Sequence, residues 1–352
     1  MSIRLSGTNQ ASIRLSNRPF VEKTRLGRRI IGRPKPNSFP LRKVSIGIDL
    51  GGTNIKFGLV KDGKIIQRLT ILTKAMEGPK SVITRIIKGI NSLASLTPPC
   101  VVGIGVAGLI DHKRGIVHFS PNLPNWQDIP IKDWLCDEIK IPIFVGNDAN
   151  AFVLGEYCFG AGKGKDSVFG ITLGTGVGGG MILNGRLWLG ENQAASEIGH
   201  TTINLSGPRC KCGNRGCLER YVGADYIVAR TKRRLKTEKS EILKKFLEAR
   251  QLTPKAIADA ARQGDQLARS IIEETGNYIG VGLANVISLL DPTIIIIGGG
   301  VSGFGKLLLD SIQKTTNERI MNFPKRSIKI VLSKLKNDAG ILGASQFAEF
   351  IR

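Results

Sequence analysis

Asp49-Leu50-Gly51-Gly52-Thr53-Asn54-Ile55-Lys56 and Gly174-Thr175-Gly176-Val177-Gly178-Gly179-Gly180 are the two stretches on which the reading of this chain turns. Each follows an apolar, β-branched run at strand spacing, 44–49 and 167–173, and each leads into another, 55–61 and 180–183. Glycines between two strands let backbone N–H groups approach an anion with no Cβ in the way. Both are therefore candidate phosphate hairpins, and two such hairpins facing one cleft could grip a polyphosphate from both sides. Either alone reads more readily as a structural turn. Neither the Rossmann nor the Walker order is met, because the second turn precedes a strand-like segment and no Gly-Lys-Ser/Thr occurs in a loop. A third cluster, Gly298-Gly299-Gly300, follows a β-branched strand at 293–297 and would let an adenine ring lie close to the backbone.

Working outward, the first hairpin is followed by a strand at 64–70, a helix at 81–96 and a strand at 100–105. Helices at 131–139 and 150–159 then bracket a strand at 143–145. After the second hairpin come helical patterns at 217–236, 253–263 and 265–290, the last stopped by Asp291-Pro292. The outline is two α/β lobes, each opening with a strand, a glycine turn and a strand, which is an internal duplication.

The 43 glycines suggest many tight turns around small ligands, and 352 residues suffice for two sizeable cores. A net charge of +23 would ordinarily point to nucleic acid, but residues 1–43 hold eleven Lys or Arg against the single acid Glu22. That stretch repeats Ser-Ile-Arg-Leu-Ser at 2–6 and 12–16 and reads as a disordered basic extension. A dispensable extension, a mis-assigned start, a nucleic-acid arm and an organelle transit peptide share this composition. It lacks the length and apolar periodicity of a helix-turn-helix domain, so nucleic acid is not the expected partner. No apolar run approaches the roughly 18 residues of a membrane helix, and no cleavable leader is evident. The expected location is the cytoplasm. Cys100, Cys136 and Cys158 are isolated and read as buried free thiols.

His200, Cys210, Cys212 and Cys217 supply one imidazole and three thiolates, the ligand set of a closed tetrahedral structural zinc site, with Gly213 and Gly216 permitting the tight turns between the sulfurs. The run Cys210-Lys-Cys212-Gly213-Asn-Arg-Gly216-Cys217-Leu-Glu219, preceded by Glu197-Ile-Gly199-His200, resembles the signature of the ROK family of repressors, open reading frames and kinases. The Asp49 turn, Gly146-Asn147-Asp148-Ala149-Asn150 and the Gly174 turn match the same family, and the resemblance runs from about Val44 to the end.

What the resemblance implies is an α/β, two-lobed actin-like (ribonuclease H-like) ATPase fold with a zinc-stapled loop in the larger lobe. The N-terminal lobe would span 44–149 and be completed by a last helix within 336–352; the larger lobe would span 150–335. The implied reaction is ATP-dependent phosphorylation of a hexose hydroxyl, with glucose to glucose 6-phosphate preferred on the likeness of Gly105-Val-Ala-Gly108-Leu-Ile-Asp111 and of Pro121-Asn122-Leu123-Pro124-Asn125-Trp126 to ROK glucokinases. Mannose, fructose, N-acetylglucosamine and N-acetylmannosamine kinases share the frame, and a non-catalytic sugar-responsive regulator is the reading from another class. Asp148, after a strand and opening a helix, is the implied general base; a helix N-cap is its other reading. Asn122, Asn147, Asp148, Glu197, His200 and Glu219 would bind the sugar, with His200 also on the zinc. ATP with Mg2+ would lie on Asp49, Gly51, Gly52, Thr53, Asn54, Lys56, Gly174, Thr175, Gly176, Gly298, Gly299 and Gly300. The implied assembly is a homodimer. Both phosphate turns are expected to lie outside the metal-stapled loop, so that metal loss would disturb sugar recognition before nucleotide binding.

Overall fold

The computed structural model describes residues 44–322 and 327–351. The basic extension expected at 1–43 lies outside the described residues. Two five-stranded sheets dominate. In the first, β1 (Ser45–Leu50), β2 (Asn54–Lys61), β3 (Lys64–Leu72), β4 (Val101–Val106) and β8 (Ile143–Asn147) lie in the order β3-β2-β1-β4-β8. The second contains β9 (Val168–Leu173), β10 (Val177–Leu183), β11 (Arg186–Leu187), β12 (Ile294–Gly298) and β13 (Lys329–Leu332), in the order β11-β10-β9-β12-β13. Each sheet thus has an antiparallel hairpin on one side of its founding strand and two parallel strands on the other. The duplication legible in the sequence is a duplication of topology.

A small antiparallel sheet of β5 (Leu109–Asp111), β6 (Ile116–Phe119) and β7 (Gln127–Ile129) stands beside the first. These strands are too short to show a period in the sequence. Helix α1 (Pro79–Ala94) buries Val82, Ile83, Ile86, Ile90 and Leu93, a spacing that forms one stripe, and α2 (Ile131–Cys136) adds Ile131 and Leu135. Each of these side chains contributes roughly 1.5–3 kcal/mol on burial.

Helix α3 (Asp148–Phe159) follows β8, while α4 (Glu219–Val222), α5 (Ala224–Arg234), α6 (Glu241–Glu248), α7 (Pro254–Arg262), α8 (Gln266–Leu290) and α9 (Lys306–Arg319) belong with the second sheet. Ser240, Thr253 and Asp265 cap α6, α7 and α8 by accepting the N–H of Leu243, Ala256 and Ala268. α8 ends where the Asp-Pro stop predicts, with Asp291 in the left-handed conformation. The single helix expected at 217–236 is two, split at Gly223, whose backbone is extended. A Cβ there would lie 2.8 Å from the Thr175 carbonyl oxygen, so tertiary contact overrides the helical pattern. The last helix is also two, α10 (Ala339–Ala344) and α11 (Phe347–Phe350).

Many of the glycines serve packing rather than ligand turns. Gly58, Gly47 and Gly103 form a row across β2, β1 and β4. Cβ atoms there would meet Ile341 Cγ2 at 2.5 Å, the Ile341 carbonyl at 1.9 Å and the Ala344 carbonyl at 1.8 Å, so α10 lies directly on the sheet. Gly180 and Gly170 pair across β10 and β9 and form the matching bed for α3, with Ala149 O and Val153 Cβ at 2.7 and 3.0 Å from their virtual Cβ positions. The run Gly178–Gly180, which the sequence suggested as part of a phosphate turn, is therefore inside a strand. The two bedded helices then cross each other: a Cβ on Gly343 would sit 1.6 Å from Ala151 O, and one on Gly155 would sit 2.1 Å from Ala339 O. Glu156, buried on α3, ties that helix to the segment between β13 and α10, since its Oε1 accepts from Ser333 Oγ (2.6 Å) and Leu335 N (2.8 Å), while its Oε2 accepts from Ala161 N (2.8 Å) at the end of α3.

The isolated thiols do not share one fate. Cys100 is exposed, correcting the expectation of burial, because it precedes β4 at the sheet margin; Cys136 and Cys158 are partly buried. Burial pushes the Cys158 thiol up to about 12. Among the described residues no helix is long and apolar enough to cross a membrane.

Because no rotamer change can relieve a clash with backbone, Gly343→Ala is expected to cost at least about 3 kcal/mol of unfolding free energy, the upper end for overpacking. Gly303→Ala, where no atom lies within 4 Å, should stay within about 0.5 kcal/mol of the parent. Urea melts of the two variants measure the contrast.

Candidate active site

β1, β4 and β8 run parallel, as do β9 and β12, so each sheet opens its carboxyl ends along one edge, where ligands of α/β sheets bind. The first sheet delivers Asp49, Asn147 and Asp148 there, and the second delivers Gly174 and Gly298.

Asn147 caps α3. Its Oδ1 accepts from Ala149 N (2.8 Å) and Asn150 N (3.2 Å), and its Nδ2 donates to Gly108 O (3.0 Å). The capping role considered for Asp148 thus belongs to its neighbour. Asp148 occupies the first turn of α3, where its Oδ1 accepts from Ala149 N at 2.9 Å. Burial pushes its carboxyl up to about 6, with the charges of Asp49 and Glu197 adding to the rise and the Ala149 N–H opposing it. Two acids from two other segments therefore bear on Asp148. Asp49 is partnered by Lys56 at 3.4 Å.

The first glycine turn is closed by Gly51 N donating to Asn54 O (3.1 Å) and braced by Thr73, whose hydroxyl donates to Gly51 O (2.7 Å). Asn122, on the loop between β6 and β7, reaches this turn: a Cβ on Gly52 would lie 2.7 Å from its carbonyl oxygen. An expected sugar ligand and an expected nucleotide loop are thus in contact. In the second turn Gly174 N donates to Gly176 O (2.9 Å), and Thr175 and Gly176 are exposed. A Cβ on Gly299, at φ +84°, would lie 2.4 Å from the Leu173 carbonyl oxygen, which sets the third glycine cluster beside the second turn. No atom lies within 4 Å of the virtual Cβ of Gly300 or Gly303. That side of the second turn is open backbone surface.

Opposite lies the loop that ends in the short 3-10 helix Ile198–His200. Glu197 is exposed at its rim, yet surrounding protein raises its carboxyl, His200 opposing and Glu219 adding to the rise. His200, Cys210, Cys212 and Cys217 bring their ligand atoms within 4.8 Å of one another. His200 Nδ1 is 3.9 Å from Cys210 Sγ, and Cys212 Sγ is 3.7 Å from Cys217 Sγ. Gly213 (φ +94°) and Gly216 (φ +65°) make the turns between them, as the spacing suggested. These four side chains can hold one tetrahedral metal ion.

Two features escaped the sequence. Gln193 Oε1 accepts from His112 N (2.7 Å) and its Nε2 reaches Asp111 Oδ1 (3.5 Å), tying the Glu197 loop to β5. Gln193 and Ser196 hold φ of 57° and 70°, and no sequence pattern announces a left-handed glutamine or serine. The second feature corrects an expectation: the Gly174 turn is not independent of the metal-ligand loop. Glu219 Oε2 accepts from Val177 N (3.0 Å), and Gly174 O accepts from Ala224 N (2.9 Å).

The ROK family profile matches residues 45–350. A glucokinase of Thermotoga maritima is 40% identical over 302 residues, covering 85% of this chain and 95% of its own length. The crystal structure of a ROK family glucokinase from Streptomyces griseus in complex with glucose and AMPPNP superposes with a TM-score of 0.77 at 36% identity, covering 86% of this chain and 98% of that one. A xylose repressor of Caldicellulosiruptor bescii is 35% identical over 243 residues, 69% of this chain and 60% of the repressor. The chain belongs to the ROK family.

Proposed function

We propose that this protein is an ATP-dependent glucokinase, forming glucose 6-phosphate and ADP. The observation that carries the reading is Asp148, a carboxyl raised to about 6 at the joint between β8 and α3. A general base works best when its pKa lies near the working pH, and a pure sugar sensor has no use for such a group. The glucokinase relatives agree with glucose as the acceptor.

In this reading the sugar hydroxyl oxygen attacks the γ-phosphorus, its proton passes to the Asp148 carboxylate, and the bond from the γ-phosphorus to the bridging oxygen breaks to release ADP. Asn122, Asn147, Glu197, His200 and Glu219 orient the sugar, while the turns at Gly51–Asn54 and Gly174–Gly176, with Gly298–Gly300, receive ATP. Asp49 is the carboxylate that would hold Mg2+ or its waters, and the ion supplies neutralisation of phosphate charge. The metal held by His200, Cys210, Cys212 and Cys217 is read as zinc. A tetrahedron with Zn–S of about 2.3 Å has sulfur–sulfur edges near 3.8 Å, and the Cys212–Cys217 separation of 3.7 Å fits it. Nδ1 faces the sulfurs, which leaves Nε2 of His200 for the sugar.

ADP release measured over a panel of hexoses and N-acetylhexosamines tests the function; glucose is expected to give the highest kcat/KM, and absence of turnover with every sugar would overturn it. Asp148→Asn should lower kcat by at least about a hundredfold, the scale of a lost general base, and the wild-type kcat/KM should fall below about pH 6. The same variant should gain stability. Burial pushes the folded carboxyl up to about 6, above the ordinary aspartate value, so its ionisation opposes folding. The penalty is absent below about pH 4, grows to pH 6 and is complete at pH 7, where Asp148→Asn should be more stable by about 3 kcal/mol. Thermal melts at pH 4 and 7 read it out. Elemental analysis should return about one zinc per chain, and Cys212→Ala should lose it together with glucose affinity.

A further inference from the structure

The second glycine turn has little to hold it from within. Between Gly174 and Gly176 it makes the single bond from Gly174 N to Gly176 O, and a turn with glycine at both ends is conformationally loose. Loose amides are poor anion receptors, because their ordering must be supplied on binding. The order comes from outside, and from one short segment. Ala224 N donates to Gly174 O at 2.9 Å at the start of the turn, and at its end Val177 N donates to Glu219 Oε2 at 3.0 Å. Gly223 and Gly176 admit this grip. A Cβ on the first would lie 2.8 Å from Thr175 O, and one on the second 2.8 Å from Glu219 Oε2.

That segment hangs from the metal-ligand loop. Cys217 bridges Thr202 in antiparallel fashion, Leu218 N donates to Thr201 O (3.0 Å), and Gly199 lies against the Val177 carbonyl. From behind, the buried Arg230 guanidinium donates to Tyr221 O at 2.6 Å.

We infer that Glu219 is a positioning residue for the nucleotide-binding turn: its carboxylate, tethered through Cys217 to the metal-ligand loop, holds the Val177 N–H and so presets the Gly174–Gly176 amides for the phosphates of ATP. The inference rests on the kinase reading above and extends it. With Oε2 on the turn, Oε1 is left for a sugar hydroxyl, so one side chain serves both substrates and their affinities are coupled.

The test is nucleotide affinity without sugar, measured by calorimetry with the β,γ-imido analogue of ATP and Mg2+ on zinc-loaded full-length protein. Glu219→Ala should weaken binding by about tenfold or more, the effect of losing a hydrogen bond to a charged acceptor. Glu219→Gln, whose amide oxygen can still accept from Val177, should return to within about threefold of wild type, while its glucose KM stays raised. Affinity for the analogue that is unchanged in Glu219→Ala, or equally weak in Glu219→Gln, would overturn the inference and leave the kinase reading intact. A wild-type protein that binds no analogue would overturn both. Should Glu219→Ala fail to fold, Gly176→Ala displaces the same carboxylate with Glu219 in place; it should weaken analogue binding at unchanged zinc content, and unaltered affinity there would equally refute the assignment.

Discussion

Everything in this fold depends on two helices being able to touch. Helices α3 and α10 meet backbone to backbone through Ala151, Gly155, Ala339 and Gly343, closer than any side chain would allow. Each also lies on a sheet through a bed of glycines. The contact gains nothing from interdigitated apolar side chains at its centre. Dispersion between close backbones holds it, and the buried Glu156 ties α3 to the segment leading into α10 through Ser333 and Leu335. A helix held at normal side-chain distance would carry the carboxyl edges of the two sheets apart, and the turns at Gly51 and Gly174 would no longer face a common space.

The position of Asp148 follows from the same constraint. The chain leaves the first sheet at Asn147, which caps α3, and the helix then packs on the second sheet. The carboxyl is thereby fixed at the joint between two halves, surrounded by protein on several sides and by the acids Asp49 and Glu197, and its raised pKa is the result. Around it Asp49, Glu197 and the glycine turns come from segments far apart in sequence, the turns standing at the carboxyl ends of strands in the two sheets. The metal-ligand loop adds the remaining wall, and Glu219 joins that wall to the second turn.

Much of this was legible in the residues. Strand, glycine turn and strand occurring twice gave the duplication, and the tight spacing of Cys210, Cys212 and Cys217 with His200 gave a ligand cluster that the structure does bring together. What was not legible has physical reasons. Gly178 and Gly180 look the same in sequence as Gly174 and Gly176, yet they lie in a strand, because the difference is set by α3 packing on them from elsewhere in the chain. The helical pattern through 217–236 is locally sound and is broken by a contact with Thr175 that no window of sequence contains. Strands β5 to β7 are too short for periodicity, and Gln193 does its work in a conformation that its residue type does not announce.

The crossing of α3 and α10 also sets a lever. Side chains that interdigitate resist sliding, whereas two smooth stripes of alanine and glycine offer few ridges to climb. Rotation of one sheet against the other about that point would be opposed by links at its margins, such as those of Gln193 to His112 and Asp111. The arc travelled by any group grows with its distance from the fulcrum. Asp148 begins the very helix that forms the crossing, so it stands on a short radius, while Asn122 and Glu219 stand on other segments beyond it. A cleft built this way can open and shut its walls while the Asp148 carboxyl stays nearly still.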